Sequence, residues 1–62
     1  MYALAIDVNE VLHYWTGGEV FSEDPKEAVT FVNKVDVDRT IDVLRRALPN
    51  LSPTAHAELF LT

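Results

Sequence analysis

His13 and His56 are the two side chains in this sequence whose charge ordinarily changes near neutral pH. Both lie in stretches that alternate apolar and polar residues, the pattern of a half-buried strand. Alternate residues of a strand share one face, so His56 and Glu58 are expected side by side on a C-terminal strand. If His13, and with it Asp7, lies on the same face, two histidines and a carboxylate could hold a divalent metal or act in acid–base catalysis.

The alternative is that both histidines are half-exposed strand residues with ordinary partners, and the rest of the sequence favours it. The chain contains no phosphate-binding loop, dinucleotide-binding glycine pattern, zinc-protease motif, calcium loop or nucleophile elbow. Two histidines outside such a motif carry little specificity for a metal or a reaction. We therefore expect no catalytic residue, no metal and no cofactor, and predict that the protein is not an enzyme.

A β-hairpin is predicted for the N-terminal part of the chain. Alternation predicts a strand over residues 2–8, and a second strand over residues 11–16 follows at once. Asn9 is the nearby residue best suited to the left-handed conformation, which favours a three-residue loop ending there. This register gives one face of the hairpin Tyr2, Leu4, Ile6, Leu12 and Tyr14. A slip of one residue would exchange the faces of the second strand.

The main helix is predicted over residues 37–48. Its apolar side chains recur at helical spacing, namely Val37, Ile41, Leu44 and Leu48. Asp36 is expected to cap the N-terminus and Pro49 to end the helix. Asp42 is expected to pair with an arginine of the last turn.

Three shorter elements complete the prediction. Asp24 followed by Pro25 and Glu27 resembles a capping box and predicts a short helix over residues 25–29. A short strand could follow over residues 30–32. A last alternating stretch predicts a strand over residues 55–61, with Leu59 and Leu61 on the face of the helix.

Together these elements predict an α+β fold in a single domain over residues 1–62. We expect a small, mostly antiparallel sheet of three to four strands with one amphipathic helix packed on one face, because one helix can cover only one face well. The other face is expected to carry Ala3, Ala5, Val11, His13, Trp15, His56, Glu58 and Phe60. Large aromatic residues on an uncovered face are typical of an interface.

The residues predicted to bind a partner are therefore Trp15, Phe60, His13, His56 and Glu58, with the acidic surface around Glu23 as a further candidate. The partner is expected to be another protein or a second copy of the chain. A formal charge of −5 argues against nucleic acid as the partner and permits a basic protein surface.

The composition also bears on the compartment. The chain has no cysteine, which fits a reducing environment and predicts a cytoplasmic protein. No apolar run approaches the roughly 18 residues that a membrane span needs. The N-terminal residues lack a basic leader, so no signal peptide is expected.

The run from Tyr14 to Phe31 resembles a pattern found in small phage and prophage proteins. In that pattern a hairpin containing Tyr or Trp precedes F-x-x-D-P-x-x-A-x-x-F, an amphipathic helix and a final strand. The matching residues here are Trp15, Phe21, Asp24, Pro25, Ala28 and Phe31. The motif is structural and carries no site residues. Some small acidic phage proteins, including anti-CRISPRs, bind a host protein, so the resemblance implies such a role.

The sequence thus predicts a non-enzymatic protein–protein interaction module, which could come from a phage or mobile element and inhibit a host protein. Two alternatives stay open. One is a small metal-dependent or acid–base enzyme that uses His13, His56 and Glu58. The other is a structural homo-oligomer, with a homodimer as its simplest form.

Overall fold

The first strand, β1 (Tyr2–Val8), is the central strand of the sheet. The computed structural model describes residues 1–60. After β1, the elements follow in the order β2 (Val11–Gly17), β3 (Val20–Ser22), a short 3-10 helix (Pro25–Glu27), β4 (Thr30–Phe31), α1 (Lys34–Ala47) and β5 (His56–Leu59). Every strand pair is antiparallel. The predicted α+β fold, with one helix packed on an antiparallel sheet, is confirmed.

Two sets of strands line the two edges of β1. Ala5 pairs with both β2 and β5, and Tyr2 pairs with both β4 and β5. A strand has only two edges, so β2 and β4 share one edge and β5 occupies the other. β3 extends the sheet beyond β2 and is joined to it through an irregular step between Trp15 and Gly17.

The hairpin between β1 and β2 has a two-residue turn rather than the predicted three-residue loop. Asn9 and Glu10 both have positive φ angles, 51° and 69°, and Val8 pairs directly with Val11. Two successive left-handed residues form the turn whose twist matches that of paired strands. Glu10 is an unusual residue for this conformation, which is why the sequence pointed to Asn9 alone.

This register reverses the predicted faces of β2. His13 pairs with Ile6, so His13 and Trp15 lie on the face of β1 that packs on the helix, together with Val11. Leu12 and Tyr14 lie on the opposite face. The predicted placement of these five β2 residues was therefore wrong, and its cause is the one-residue difference in the turn.

α1 begins three residues earlier than predicted. Asn33 is the N-cap residue, and Asp36 lies inside the first turn, where its carboxylate favours the positive end of the helix dipole. The predicted cap at Asp36 was therefore wrong. Three residues of the predicted apolar stripe, Val37, Ile41 and Leu44, are the buried residues of α1. The fourth, Leu48, is the C-cap residue just beyond the helix and is half-buried.

α1 packs on β1 and β5 around one hydrophobic core. The buried members of this core are Leu4, Ile6, Val37, Ile41, Leu44 and Leu51. Leu51 lies in the connector between α1 and β5 (residues 48–55), and its place in the core was not predicted. Arg45 fixes that connector by donating to the carbonyl oxygens of Leu51 at 3.3 Å and Ser52 at 3.5 Å.

The predicted ion pair of Asp42 does not form. Asp36 and Arg39 make the salt bridge of the helix instead, at 3.9 Å. The guanidinium of Arg45 donates to the connector instead. It therefore holds the chain that follows α1 in place and does not pair with the carboxylate of Asp42.

The short helix is a single 3-10 turn over Pro25–Glu27. Asp24 caps it as predicted, accepting from the backbone N–H of Lys26 at 2.9 Å. The side chain of Glu27 does not accept from the Asp24 N–H, as it would in a capping box. It accepts from the Ser22 hydroxyl at 2.9 Å, and the same hydroxyl oxygen accepts from the Asp24 N–H at 3.1 Å. The predicted extension of this helix to residue 29 is replaced by extended chain. Leu61, the predicted end of the last strand, lies outside the described residues.

Candidate functional site

The sheet face turned away from α1 is the candidate site, and we refer to it as the open face. Strand register and alternation place on it Ala3, Ala5, Asp7, Leu12, Tyr14, His56, Glu58 and Phe60. Phe60 follows β5 and continues its ladder, because its N–H donates to the carbonyl of Met1 at 2.8 Å. Within residues 1–60, the only α-helix packs on the opposite face.

Two aromatic rings dominate the centre of the open face. Tyr14 from β2 and Phe60 beyond β5 meet edge to face, with ring centroids 5.5 Å apart and an interplanar angle of 72°. β2 and β5 flank β1, so the two rings must approach each other above β1. Ala3 and Ala5 of β1 have no exposed surface, although the helix of residues 1–60 packs on the opposite face. Small side chains on β1 thus leave the space in which the rings meet.

The His56–Glu58 pair borders this aromatic centre. The Nε2 atom of His56 lies 2.8 Å from Oε2 of Glu58, and its Nδ1 atom lies 2.6 Å from the carbonyl oxygen of Thr54. Both neighbours are acceptors, so the imidazole satisfies both only when both ring nitrogens carry a proton. The Thr54 carbonyl is the main cause of a raised pKa for His56, and Glu58 and Asp7 add to it against the opposing effect of burial.

A hydrogen-bonded turn before β5 positions the histidine ring. The Thr54 hydroxyl accepts from the backbone N–H of Asp7 at 2.9 Å and shares a 2.7 Å hydrogen bond with the Ser52 hydroxyl. The Thr54 N–H also donates to Ser52 Oγ at 3.2 Å. Ser and Thr commonly form such local bonds, which here tie the connector to the end of β1. The Thr54 carbonyl is thereby held where it can accept from His56.

His13 and Glu23 form a second pair on the other face of the sheet. His13 Nε2 lies 3.6 Å from Glu23 Oε1, and His13 Nδ1 lies 3.0 Å from the carbonyl oxygen of Val11. The sheet separates His13 from His56, so the predicted grouping of His13, His56 and Glu58 does not form. Within the described residues, no group of three or more His, Cys, Asp or Glu side chains is arranged to hold a metal ion.

Trp15 is part of the packed side of the sheet. Its ring stacks on Phe31 with centroids 6.1 Å apart and planes 19° apart, and it packs against the hydrophobic core. Its indole N–H donates to the carbonyl of Gly18 at 2.9 Å. The expectation that Trp15 and Phe60 share a face was therefore wrong.

Of the six residues predicted to bind a partner, the structure brings together His56, Glu58 and Phe60 on the open face. It places Trp15, His13 and Glu23 on the other side. Sequence reasoning missed Tyr14 as the partner ring of Phe60. The signal that could have found it is the Asn9–Glu10 dipeptide, read as a two-residue turn.

Charge is divided unequally between the helix and the rest of the chain. Four basic and three acidic residues give α1 a formal charge of +1, whereas one basic and seven acidic residues give the remainder −6. Within residues 1–60, the Asp36–Arg39 pair is the only salt bridge that involves a lysine or an arginine. The acidic side chains outside α1 therefore have no such partner within the described chain.

No protein-family model, curated protein or solved structure matches this chain. The fold and the open face therefore define a class only. It is a small α+β protein in which a helix covers one face of the sheet. No helix in residues 1–60 combines the length and the apolar character that crossing a bilayer requires.

Proposed function

We propose that this protein is a small, non-enzymatic protein-binding module whose open face receives a basic segment of another protein. The observation that carries the proposal is the combination, on one uncovered face, of the Tyr14–Phe60 ring pair with the carboxylates of Asp7 and Glu58. Both rings are half-buried, so part of their surface is available to a partner.

The chemistry of this face suits arginine and lysine side chains. A cation placed over an aromatic ring is attracted by the negative charge density of the ring face, and a carboxylate can accept two hydrogen bonds from one guanidinium. The formal charge of −6 outside α1 would steer a basic partner towards the sheet and would repel nucleic acid.

The likeness to small phage proteins makes a host protein the proposed target, and inhibition of that protein the proposed effect. A phage or mobile-element origin belongs to the same proposal, as does a cytoplasmic setting, which the lack of cysteine supports. These details rest on the sequence alone.

The test is affinity capture from a lysate of the cells that naturally carry the gene, followed by direct titration of the captured protein. We expect Phe60→Ala to weaken binding at least tenfold, as truncation of an aromatic anchor commonly does. Asp7→Asn with Glu58→Gln should also weaken it, and the salt dependence of the remaining binding should be smaller.

Two matched variants on α1 serve as controls. Val43→Ala removes an exposed apolar side chain, and Asp38→Asn with Asp42→Asn makes the same change in charge as the open-face pair. Both controls should bind as the wild type does. The proposal is wrong if the open-face variants, folded by circular dichroism, bind as tightly as the controls, or if no protein is captured.

A further inference from the structure

β5 leaves one edge unpaired in the described chain. The N–H of Phe60 donates to Met1, which identifies residues 58 and 56 as the following hydrogen-bonded partners of β1, at Ala3 and Ala5. Backbone groups alternate in direction along a strand, so those of Ala57 and Leu59 point away from β1. Within residues 1–60, no other strand pairs with β5.

We propose that a second copy of this chain pairs with that edge, β5 against β5, in an antiparallel ladder centred on Ala57. This inference goes beyond the proposed function and does not depend on it, since it concerns the edge of the sheet and a partner identical to the chain itself. The two sheets would join into one, with both copies of α1 on the same side.

Charge selects the register of this pairing. An antiparallel strand can meet its own copy about residue 56, 57 or 58. Centring on residue 56 sets two His56 side chains opposite each other, and centring on residue 58 does the same for two Glu58 carboxylates. Only the register about Ala57 sets each His56 opposite a Glu58 of the other copy, and opposite charges across two strands stabilise their pairing.

The same register uses the backbone groups that point outward. Ala57 would exchange both of its hydrogen bonds with Ala57 of the second copy. The N–H of each Leu59 would donate to the carbonyl of Ala55 across the interface. The Ala55 N–H is already bound to the carbonyl of Ser52 at 3.2 Å, so its carbonyl is the group left to take part.

The side chains of β5 also fit a paired edge. Leu59 is 60% exposed and would lie against the small Ala55 of the second copy. Natural edge strands usually resist such pairing through lysine, proline or a bulge. β5 is short, with the sequence His-Ala-Glu-Leu, but it pairs regularly with β1 and contains no lysine, proline or bulge.

The first test is the mass of the full chain by sedimentation and light scattering across a concentration series at pH 6 and about 0.15 M salt. The wild type should move from the 7.0 kDa monomer to a dimer as concentration rises. His56→Glu and Glu58→Lys should each raise the dimer dissociation constant at least tenfold, because each places like charges opposite one another. Glu10→Lys, with the same charge change as Glu58→Lys at an exposed turn, should leave it unchanged.

Mixing the two variants tests the register itself. A His56→Glu chain opposite a Glu58→Lys chain regains opposite charges at both positions. The mixture should therefore form a mixed dimer at concentrations at which each variant alone stays monomeric. The comparison is between each variant alone and the mixture of the two. Any loss of stability in a variant is the same in both samples, so it cannot produce a mixed dimer.

Disulfide trapping locates the centre of the ladder in a chain that has no cysteine of its own. In the proposed register the two Ala57 Cα atoms lie about 5.5 Å apart, within disulfide range. Ala57→Cys should therefore cross-link on mild oxidation, whereas the two Leu59 positions are about 14 Å apart and Leu59→Cys should not. The proposal is overturned if the wild type stays monomeric, if the charge variants dimerise as the wild type does, or if Leu59→Cys cross-links faster than Ala57→Cys.

Discussion

The ring of Phe60 meets the ring of Tyr14 edge to face across β1, with centroids 5.5 Å apart. The two residues are 46 positions apart in the sequence, and their contact lies on the open face, opposite the helix of the described chain. The geometry depends on β1 presenting alanine beneath them, since Ala3 and Ala5 are fully buried. A second, thin apolar layer thus lies on the open face, and its outer surface is the proposed binding surface.

We expect Ala3→Leu to separate the two rings and destabilise the fold by about 1–3 kcal/mol, the usual cost of adding methylene groups to a filled site. Urea denaturation measures the loss, and near-ultraviolet circular dichroism reports the aromatic environment. Val20→Leu, at an exposed strand position, is the control and should change little. Equal midpoints for the two variants would show that the alanine is not needed for the ring contact.

The protonation of His56 should make stability depend on pH. Its pKa is raised by the hydrogen bond to the Thr54 carbonyl first and by Glu58 and Asp7 in addition. A pKa that is higher in the folded than in the unfolded state means that folding favours the protonated ring. This contribution is therefore complete below the unfolded value of about 6.5 and is lost as pH rises through the folded pKa.

A proton titration followed by nuclear magnetic resonance measures this directly. We expect His56 to titrate above 6.5 and Glu58→Gln to lower its pKa while leaving part of the elevation, because the Thr54 carbonyl is still present. His56→Gln should remove the corresponding loss of stability as pH rises above the unfolded pKa of about 6.5. A His56 pKa at or below the unfolded value would contradict this account.

Trp15 should behave as a core residue. Its stacking on Phe31 and its hydrogen bond to Gly18 lead us to expect that Trp15→Ala costs about 3 kcal/mol, the lower end for a large aromatic side chain because Trp15 is only half-buried. Chemical denaturation measures this cost. Val20→Ala on the neighbouring strand is the control, with an expected change within about 0.5 kcal/mol. If Trp15→Ala is as stable as this control, Trp15 is not a core residue, and the original interpretation as a partner-binding residue would be favoured.

The sequence predicted the elements better than their faces. Alternation placed β1 over residues 2–8, and helical spacing identified Val37, Ile41 and Leu44 as buried, because both patterns are repeated several times within one element. The faces of β2 depended on the length of one turn, and no repeated pattern reports that length. The Tyr14–Phe60 contact and the Thr54–His56 bond join residues through that register and through a connector without periodicity, so sequence alone could not supply them.

The turn that decides this register offers the last prediction. Glu10 has a φ of 69°, a conformation that costs free energy for a residue with a Cβ atom and none for glycine. The Asn-Gly pair is the preferred sequence for such a two-residue turn. We therefore expect Glu10→Gly to stabilise the protein by up to about 1 kcal/mol, less the entropy that glycine adds to the unfolded chain. Glu10→Gln separates the effect of charge, since it removes the carboxylate and keeps the strain. Thermal denaturation of both variants decides the matter, and a Glu10→Gly protein that is less stable than Glu10→Gln would argue for the longer loop and the opposite faces of β2.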